Sequence, residues 1–335
     1  MTLDRMQVPI ALGVFVLAVC LVCGPRAQEA EETFGCEANP TGNPIGGGEG
    51  YIPIFTEGDF SVTNADELVA ALKQAQPGQI IHVAGEIEID LTPHPTQSLP
   101  PGVTLAGIRG LDGSRGGLIA YRKSGRMFST AGESVRLTGL RFEGAEGGTG
   151  RVATSSSFIG VGHWGFEIDN CEVFNFNSSA IGLGPDAVNA RVHHNHIHHN
   201  QMGGLGYGVS TSSSDARIIA NIFDHCRHHI ASSGSPGSGY EAAWNLVLEN
   251  ATSHHFDMHG GRDRGDGTDI AGDWMHIHHN TFVGTHRHVV IRGVPSDGAE
   301  IHNNWFANPA AKSVTSGGNT RVYRNVYGPE KTLEE

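Results

Sequence analysis

The chain has 335 residues, a formal net charge of −13 and 47 glycines, with 38% hydrophobic and 17% charged residues. Low charge with abundant glycine argues against a helical bundle, because glycine costs about 1 kcal/mol per site inside a helix. It suits an all-β chain with many tight turns. The acidic balance disfavours nucleic acid and anionic membrane as partners.

Taken in chain order, residues 1–27 read as a signal peptide. Arg5 precedes an apolar run from Val8 to Cys23, and Pro25-Arg26-Ala27 offers a cleavage site. The run is short for a transmembrane helix, so export is expected, to the periplasm, the cell surface or the medium, with an uncleaved anchor as the alternative. Residues 28–50, rich in Gly, Pro and Glu, read as a linker. A single domain is expected over 51–335, with a capping segment at 51–95 and coils over about 100–328. Asn64 as N-cap, Glu67 three residues later and the apolar Leu68, Ala71, Leu72 and Ala75 predict a short capping helix ending before Pro77-Gly78. Strand patterns follow at IIHVAGEIEID and LPPGVTLAG. Cys36, Cys171 and Cys226 are an odd set beyond the leader and read as buried small apolar residues rather than a disulfide framework.

A repeat sets the architecture. Asn170, Asn195, Asn221, Asn245, Asn280, Asn304 and Asn325 recur at intervals of 25, 26, 24, 35, 24 and 21 residues, each flanked by alternating apolar and polar residues. Asparagine tolerates the left-handed conformation of a sharp bend, and its amide can bond coils above and below. The expected fold is all-β, a right-handed parallel β-helix with a short N-terminal capping helix. The long interval holds an inserted loop, RDRGDGTDIAGD.

The opening GGGEGY, FSVTNADELVAAL, IIHVAGEIEI and GVTLAGIRG, followed by the Asn-anchored coils, resembles the pectate-lyase-like superfamily of the pectin lyase fold. MHIHHNTFVGTHRHVVIRG followed by EIHNNWFAN resembles the pectate lyase stretch with two arginines five residues apart. The resemblance implies Arg287 as catalytic base and Arg292 as a substrate contact. The family's proline between the arginines is replaced by Val289, the gap to Asn303-Asn304 is longer, and the family's calcium-binding aspartates have no clean match. The superfamily likeness spans most of residues 50–328; the catalytic likeness spans about twenty residues, and fold transfers on such a match better than chemistry.

Histidine is the sharpest compositional anomaly: of 20, 17 fall between His193 and His302. One group flanks the anchors, where His194, His196 and His198 alternate as if on one strand face. A second group, aligned on the glycines that end the coils, places His228-His229, His254-His255 and Arg287-His288 at similar heights, with Asp257, His259, Arg292 and Tyr207 nearby. Coils lie about 4.8 Å apart, so these would form one polar wall. Such a wall suits β-elimination of a uronate: a cation neutralises the carboxylate, a base removes the C5 proton and an acid protonates the leaving oxygen. Arg287, His288 or His255 as base and Tyr207 as acid are the candidate catalytic groups. Arg292, Arg227, His229, Asp257 and His259 are the candidate substrate contacts. Glycoside hydrolysis would instead need two carboxylates, from Asp257 with Asp224 or Glu241.

In the inserted loop, Asp263, Asp266 and Asp269 recur at intervals of three, a pattern that suits Ca²⁺, with a solvated turn as the plainer reading. A transition metal at the histidines is the other cofactor option. The leading expectation is a secreted, monomeric polysaccharide lyase acting on a uronate-containing glycan. A non-catalytic surface β-helix binding glycan or metal, a glycoside hydrolase and a C5-epimerase are the alternatives.

Overall fold

The computed structural model describes residues 33–334, and the expected signal peptide lies outside them. Three long sheets share the chain coil by coil. The first has 11 strands, from Phe60–Val62 to Thr320–Tyr323; the second has 11, from Glu88–Asp90 to Thr332–Glu334; the third has nine, from Gln97–Leu99 to Val314–Thr315. Pairing is parallel throughout, except that Thr332–Glu334 turns back antiparallel on Asn325–Tyr327. This is a parallel β-helix, with inward side chains of all three sheets meeting in one continuous apolar core.

The capping helix forms as the sequence pattern requires, over Ala65–Gln74. Asn64 Oδ1 accepts the Glu67 N–H at 3.0 Å, and the Glu67 carboxylate accepts from Thr63 N at 2.7 Å. Leu68, Ala71 and Leu72 are buried where the helix packs on Phe60–Val62 and Gln97–Leu99. It thereby covers the open apolar end of the first coil.

The recurring asparagines form a buried amide ladder at the turn between the first and second sheets. Asn221 is typical. Its Nδ2 donates to Val192 O at 2.9 Å and to Asn245 Oδ1 at 3.0 Å, while Asn245 Oδ1 also accepts the Asn221 backbone N–H at 2.9 Å. The same pattern continues through Asn280, Asn304 and Asn325. The left-handed residue is not the asparagine but the one before it: His194, Ala220, Trp244, His279, Asn303 and Arg324 have φ between 50° and 55°. One expected anchor is therefore shifted. Asp169 pairs with His193, so Asn170 matches His194, and Cys171 holds the ladder position, its N–H donating to Asn195 Oδ1 at 2.9 Å. Asn170, with φ 52°, is the left-handed residue of its own coil.

The expected linker is a packed strap over its described part, residues 33–50. It runs along the ladder's outer edge, from late coils to early ones. Gly35 N donates to Asn303 O at 3.0 Å, Cys36 N to Thr281 Oγ1 at 2.9 Å, Gly46 N to Ala220 O at 2.8 Å and Gly48 N to Asn170 Oδ1 at 2.7 Å. Glycine is required at Gly47, where φ is 66° and a Cβ would lie 2.4 Å from His194 O. What read as low-complexity linker is a strip of backbone that satisfies corner carbonyls.

Replacing Asn245 by Ala leaves the buried Asn221 N–H and one of the two Nδ2 hydrogens without an acceptor, so a loss on the order of 1–3 kcal/mol per orphaned donor is expected. A urea titration of the variant against the parent chain measures it.

Candidate functional site

Four successive strands of the third sheet, Gly125–Thr130, Ser156–Val161, Ser179–Leu183 and Tyr207–Thr211, share one pattern: outward, inward, inward, outward, inward. In Gly125–Thr130, Arg126 and Ser129 face out, while Met127, Phe128 and Thr130 are buried. In register with Arg126 come Ser157, Ser179, Tyr207 and His228; in register with Ser129 come Gly160, Gly182, Ser210, Ala231 and Asp257. The second outward row is thus almost bare of side chains. Over it lies an open groove of about 640 Å³, lined by Arg126, Gly160, Gly182, Tyr207, Ser210 and His259 among others.

The bareness is not a packing requirement. A Cβ on Gly182 would meet no heavy atom nearer than 3.4 Å, and one on Gly162, at the groove edge, none nearer than 3.9 Å. Neither has a positive φ. The glycines therefore keep the surface clear where nothing in the fold demands it. Gly160 differs: its Cβ would fall 2.6 Å from Arg126 Nη1, so the guanidinium lies flat on the floor because that residue has no side chain.

One end of the groove is backed by a buried carboxylate. Asp257 is 1% exposed. It accepts from Arg292 Nε at 2.9 Å and Nη2 at 2.6 Å, a bidentate pair. His228 Nε2 and His259 Nε2 each lie 3.3 Å from its Oδ2. Burial alone would raise the Asp257 carboxyl; contact with His259 and the charges of His228 and Arg292 outweigh it and hold it below the usual carboxylate range. His228 is fully covered and stacked on Tyr207 at 5.8 Å between ring centroids, and burial pushes its imidazole down to about 4. His259, one-third exposed, is the member of the cluster that reaches the groove, with Tyr207 on the opposite row. A carboxylate behind an imidazole fixes its orientation and favours a proton on it once it acts as a base.

Of the residues singled out from sequence, the structure brings Tyr207, Asp257, His259 and Arg292 into this one network. Asp257 is buried and Arg292 is held by it, with a further contact from Nη1 to Asp263 at 3.4 Å. Asp257 therefore positions other side chains rather than touching a ligand, and Arg292 is not part of the groove lining. Arg287 lies further along, hydrogen-bonded to Thr315, and Arg227 is half-buried outside the groove lining. His229, His255 and His288 are inside the coil, each 0% exposed, so none can contact a polymer on the surface. Strict alternation places them outward; the pair of consecutive inward residues places them in the column that holds Met127, Phe158 and Ala180 in earlier coils. Their rings stack at 5.1 and 5.3 Å between centroids, among Phe223, Phe282 and Phe306. The ring nitrogens of His255 and His288 have no hydrogen-bond partner.

The carboxylates weighed for hydrolysis are on three different faces: Asp257 on the third sheet, Asp224 on the second and Glu241 on the first. The loop aspartates do not converge either. Each turns to an arginine: Asp263 to Arg292, Asp266 to Arg264 at 2.8 Å and Asp269 to Arg262 at 3.6 Å. The anchor-flanking histidines make cross-coil pairs with glutamates, as His193–Glu167 at 3.0 Å, His198–Glu172 at 3.1 Å and His278–Glu241 at 3.2 Å. His194 leaves that face, hydrogen-bonding Thr41 of the strap at 2.8 Å. Sequence reasoning missed Arg126 and the glycine floor. The signal was there, in the matched pairs Ile159-Gly160, Ile181-Gly182 and Val209-Ser210.

With this geometry in place, comparison with solved structures finds an alginate lyase. The crystal structure of the enzyme from Paenibacillus sp. str. FPU-7 superposes with a TM-score of 0.56 at 14% identity, covering 80% of this chain and 94% of that one. At that identity the likeness establishes the shared β-helix fold. No protein-family model matches the chain, and no curated protein does so either.

The histidine column makes stability pH-dependent. Burial, followed by the neighbouring histidines, pushes His255 down to about 3 from an ordinary 6.5, and His229 and His288 also fall well below it. Below the ordinary value the unfolded chain takes up protons that the folded chain does not. The contribution is intact above about pH 6.5 and shrinks as pH falls towards the folded values, by up to about 1.4 kcal/mol per pH unit for each histidine. Urea midpoints measured from about pH 8 to about pH 5 are expected to fall, and His255→Phe should flatten that slope.

Proposed function

We propose that the protein is an exported polysaccharide lyase that cleaves a uronate-containing glycan by β-elimination in the groove of the third sheet. The observation that carries this reading is the floor: a row of small residues, with Gly182 bare where no neighbour demands it, bordered by Arg126, Tyr207 and His259. An open groove that crosses several coils, as its lining from Arg126 to His259 does, accommodates a chain rather than a compact metabolite. In the proposed reaction the uronate to be cleaved lies between Tyr207 and His259, and Arg126, five coils before His259 in the stack, pairs with the carboxylate of another uronate further along the chain. His259, backed by Asp257, removes the C5 proton of the uronate beside it. The electrons of the C5–H bond form the C4–C5 double bond as the C4–O bond breaks, and Tyr207 gives its proton to the departing oxygen. The alginate lyase with the same fold makes alginate the first polymer to try.

The test is ultraviolet absorbance of the unsaturated uronate product on alginate, pectate and glycosaminoglycans. His259→Ala and Tyr207→Phe should each lower kcat by roughly 10²–10⁴-fold, the range for a lost acid or base. Gly182→Leu, which fills the floor, should abolish polymer binding while leaving the melting temperature near that of the parent. Absence of unsaturated product on every polyuronate would overturn the lyase reading, and a C5-epimerised product without chain cleavage would reassign the same groups to epimerisation.

A further inference from the structure

We propose that Glu172, His196 and His198 bind a divalent transition metal, with zinc as the reference ion, on the outer face of the second sheet and apart from the groove. A ligand atom from each of the three lies within 4.8 Å of the others, and all are half-buried, within reach of solvent. Glu172 and His196 are direct neighbours across adjacent coils, and His198 follows His196 on the same side of the strand, with ring centroids 4.1 Å apart. Two imidazoles and a carboxylate are a donor set that suits zinc, leaving a fourth position for water.

The surrounding contacts orient these donors. Arg141 Nε donates to Glu172 Oε2 at 2.5 Å, which fixes the carboxylate and leaves Oε1 facing His198 Nε2 at 3.1 Å. His198 Nδ1 lies 2.7 Å from the His199 ring nitrogen, so that side is engaged, and Nε2, which here faces Glu172 Oε1, is the nitrogen that would share a metal with it. Phe174 stacks flat on His198, with centroids 5.2 Å apart at 6°. An outer shell of this kind, holding the ring and carboxylate in place, is what metal-ligating histidines and carboxylates use.

Among the described residues one other group has comparable spacing, Glu167, Asp169 and His193. It is already filled. Asp169 is fully buried; its Oδ2 accepts from Tyr51 Oη at 2.8 Å, Thr138 Oγ1 at 2.7 Å and Arg136 Nη2 at 3.0 Å, and its Oδ1 from Arg136 Nε at 2.8 Å, so both oxygens are committed to the protein. That contrast selects the site at Glu172.

The experiment is calorimetric titration of the full chain with zinc chloride, alongside diethylpyrocarbonate footprinting read by mass spectrometry. The expected result is one site whose affinity falls more than roughly 10-fold in Glu172→Gln and in His196→Ala, beyond the low end for an outer-shell change. In the unaltered protein, zinc should protect His196 and His198 from modification while the exposed His276, on the first sheet, reacts as before. Unchanged zinc affinity in both variants, or protection that falls on other histidines, would overturn the proposal. The footprint needs no variant to fold, and neither readout depends on lyase activity.

Discussion

Everything in this molecule is referred to the buried amide ladder. Each asparagine side chain closes the turn of one coil and sets the height of the next, so the coils share a register at one corner and are free elsewhere. That freedom is visible in the intervals between ladder members, which run from 21 to 35 residues without disturbing the pairing on either side. Left-handed backbone at residues such as Trp244 and Arg324 is unfavourable for side chains of that size. It persists because the amide bonds on each side leave the chain no other way to satisfy its buried polar groups.

A fixed corner also explains what is legible in the sequence alone. The asparagine spacing reported the coils, and with them the fold. Asn170 misled because its coil places Cys171 in the ladder and puts an asparagine where the others carry His, Ala, Trp or Arg. Tyr207 and His259 were legible because the glycines that end the coils carry the register round to the third sheet. His229, His255 and His288 were not, since a strand with two consecutive inward residues breaks the alternation by which faces are assigned. Polar identity made them look external, yet they occupy a column of core positions. Arg126 and Gly160 precede the first anchor, Asn170, and Gly182, inside the first interval, looks like one more glycine at a coil end.

The three faces divide the chemistry. The first and second sheets carry ladders of glutamate, arginine and histidine that tie coil to coil. The third is cleared of side chains over its middle coils, and behind its far end stands one carboxylate held by an arginine and flanked by two imidazoles. Rigidity there comes from the strands themselves, so the groups around the groove are held by sheet backbone rather than by mobile loops. The inserted loop contributes to that support from outside: Arg264 reaches back to Ser233 O at 3.0 Å and to Ile270 O at 3.0 Å.

Stacked-coil proteins are ordinarily one-dimensional, each repeat touching only its neighbours, so that coils can fray from an end one after another. The strap changes that dimension here. Its hydrogen bonds join residues 245 and 270 positions apart in the chain. A segment synthesised early can be seated only once the late coils exist to receive it. Seated, it spans most of the stack and turns a row of separable units into something closer to a bound book, whose last pages cannot loosen without lifting the spine.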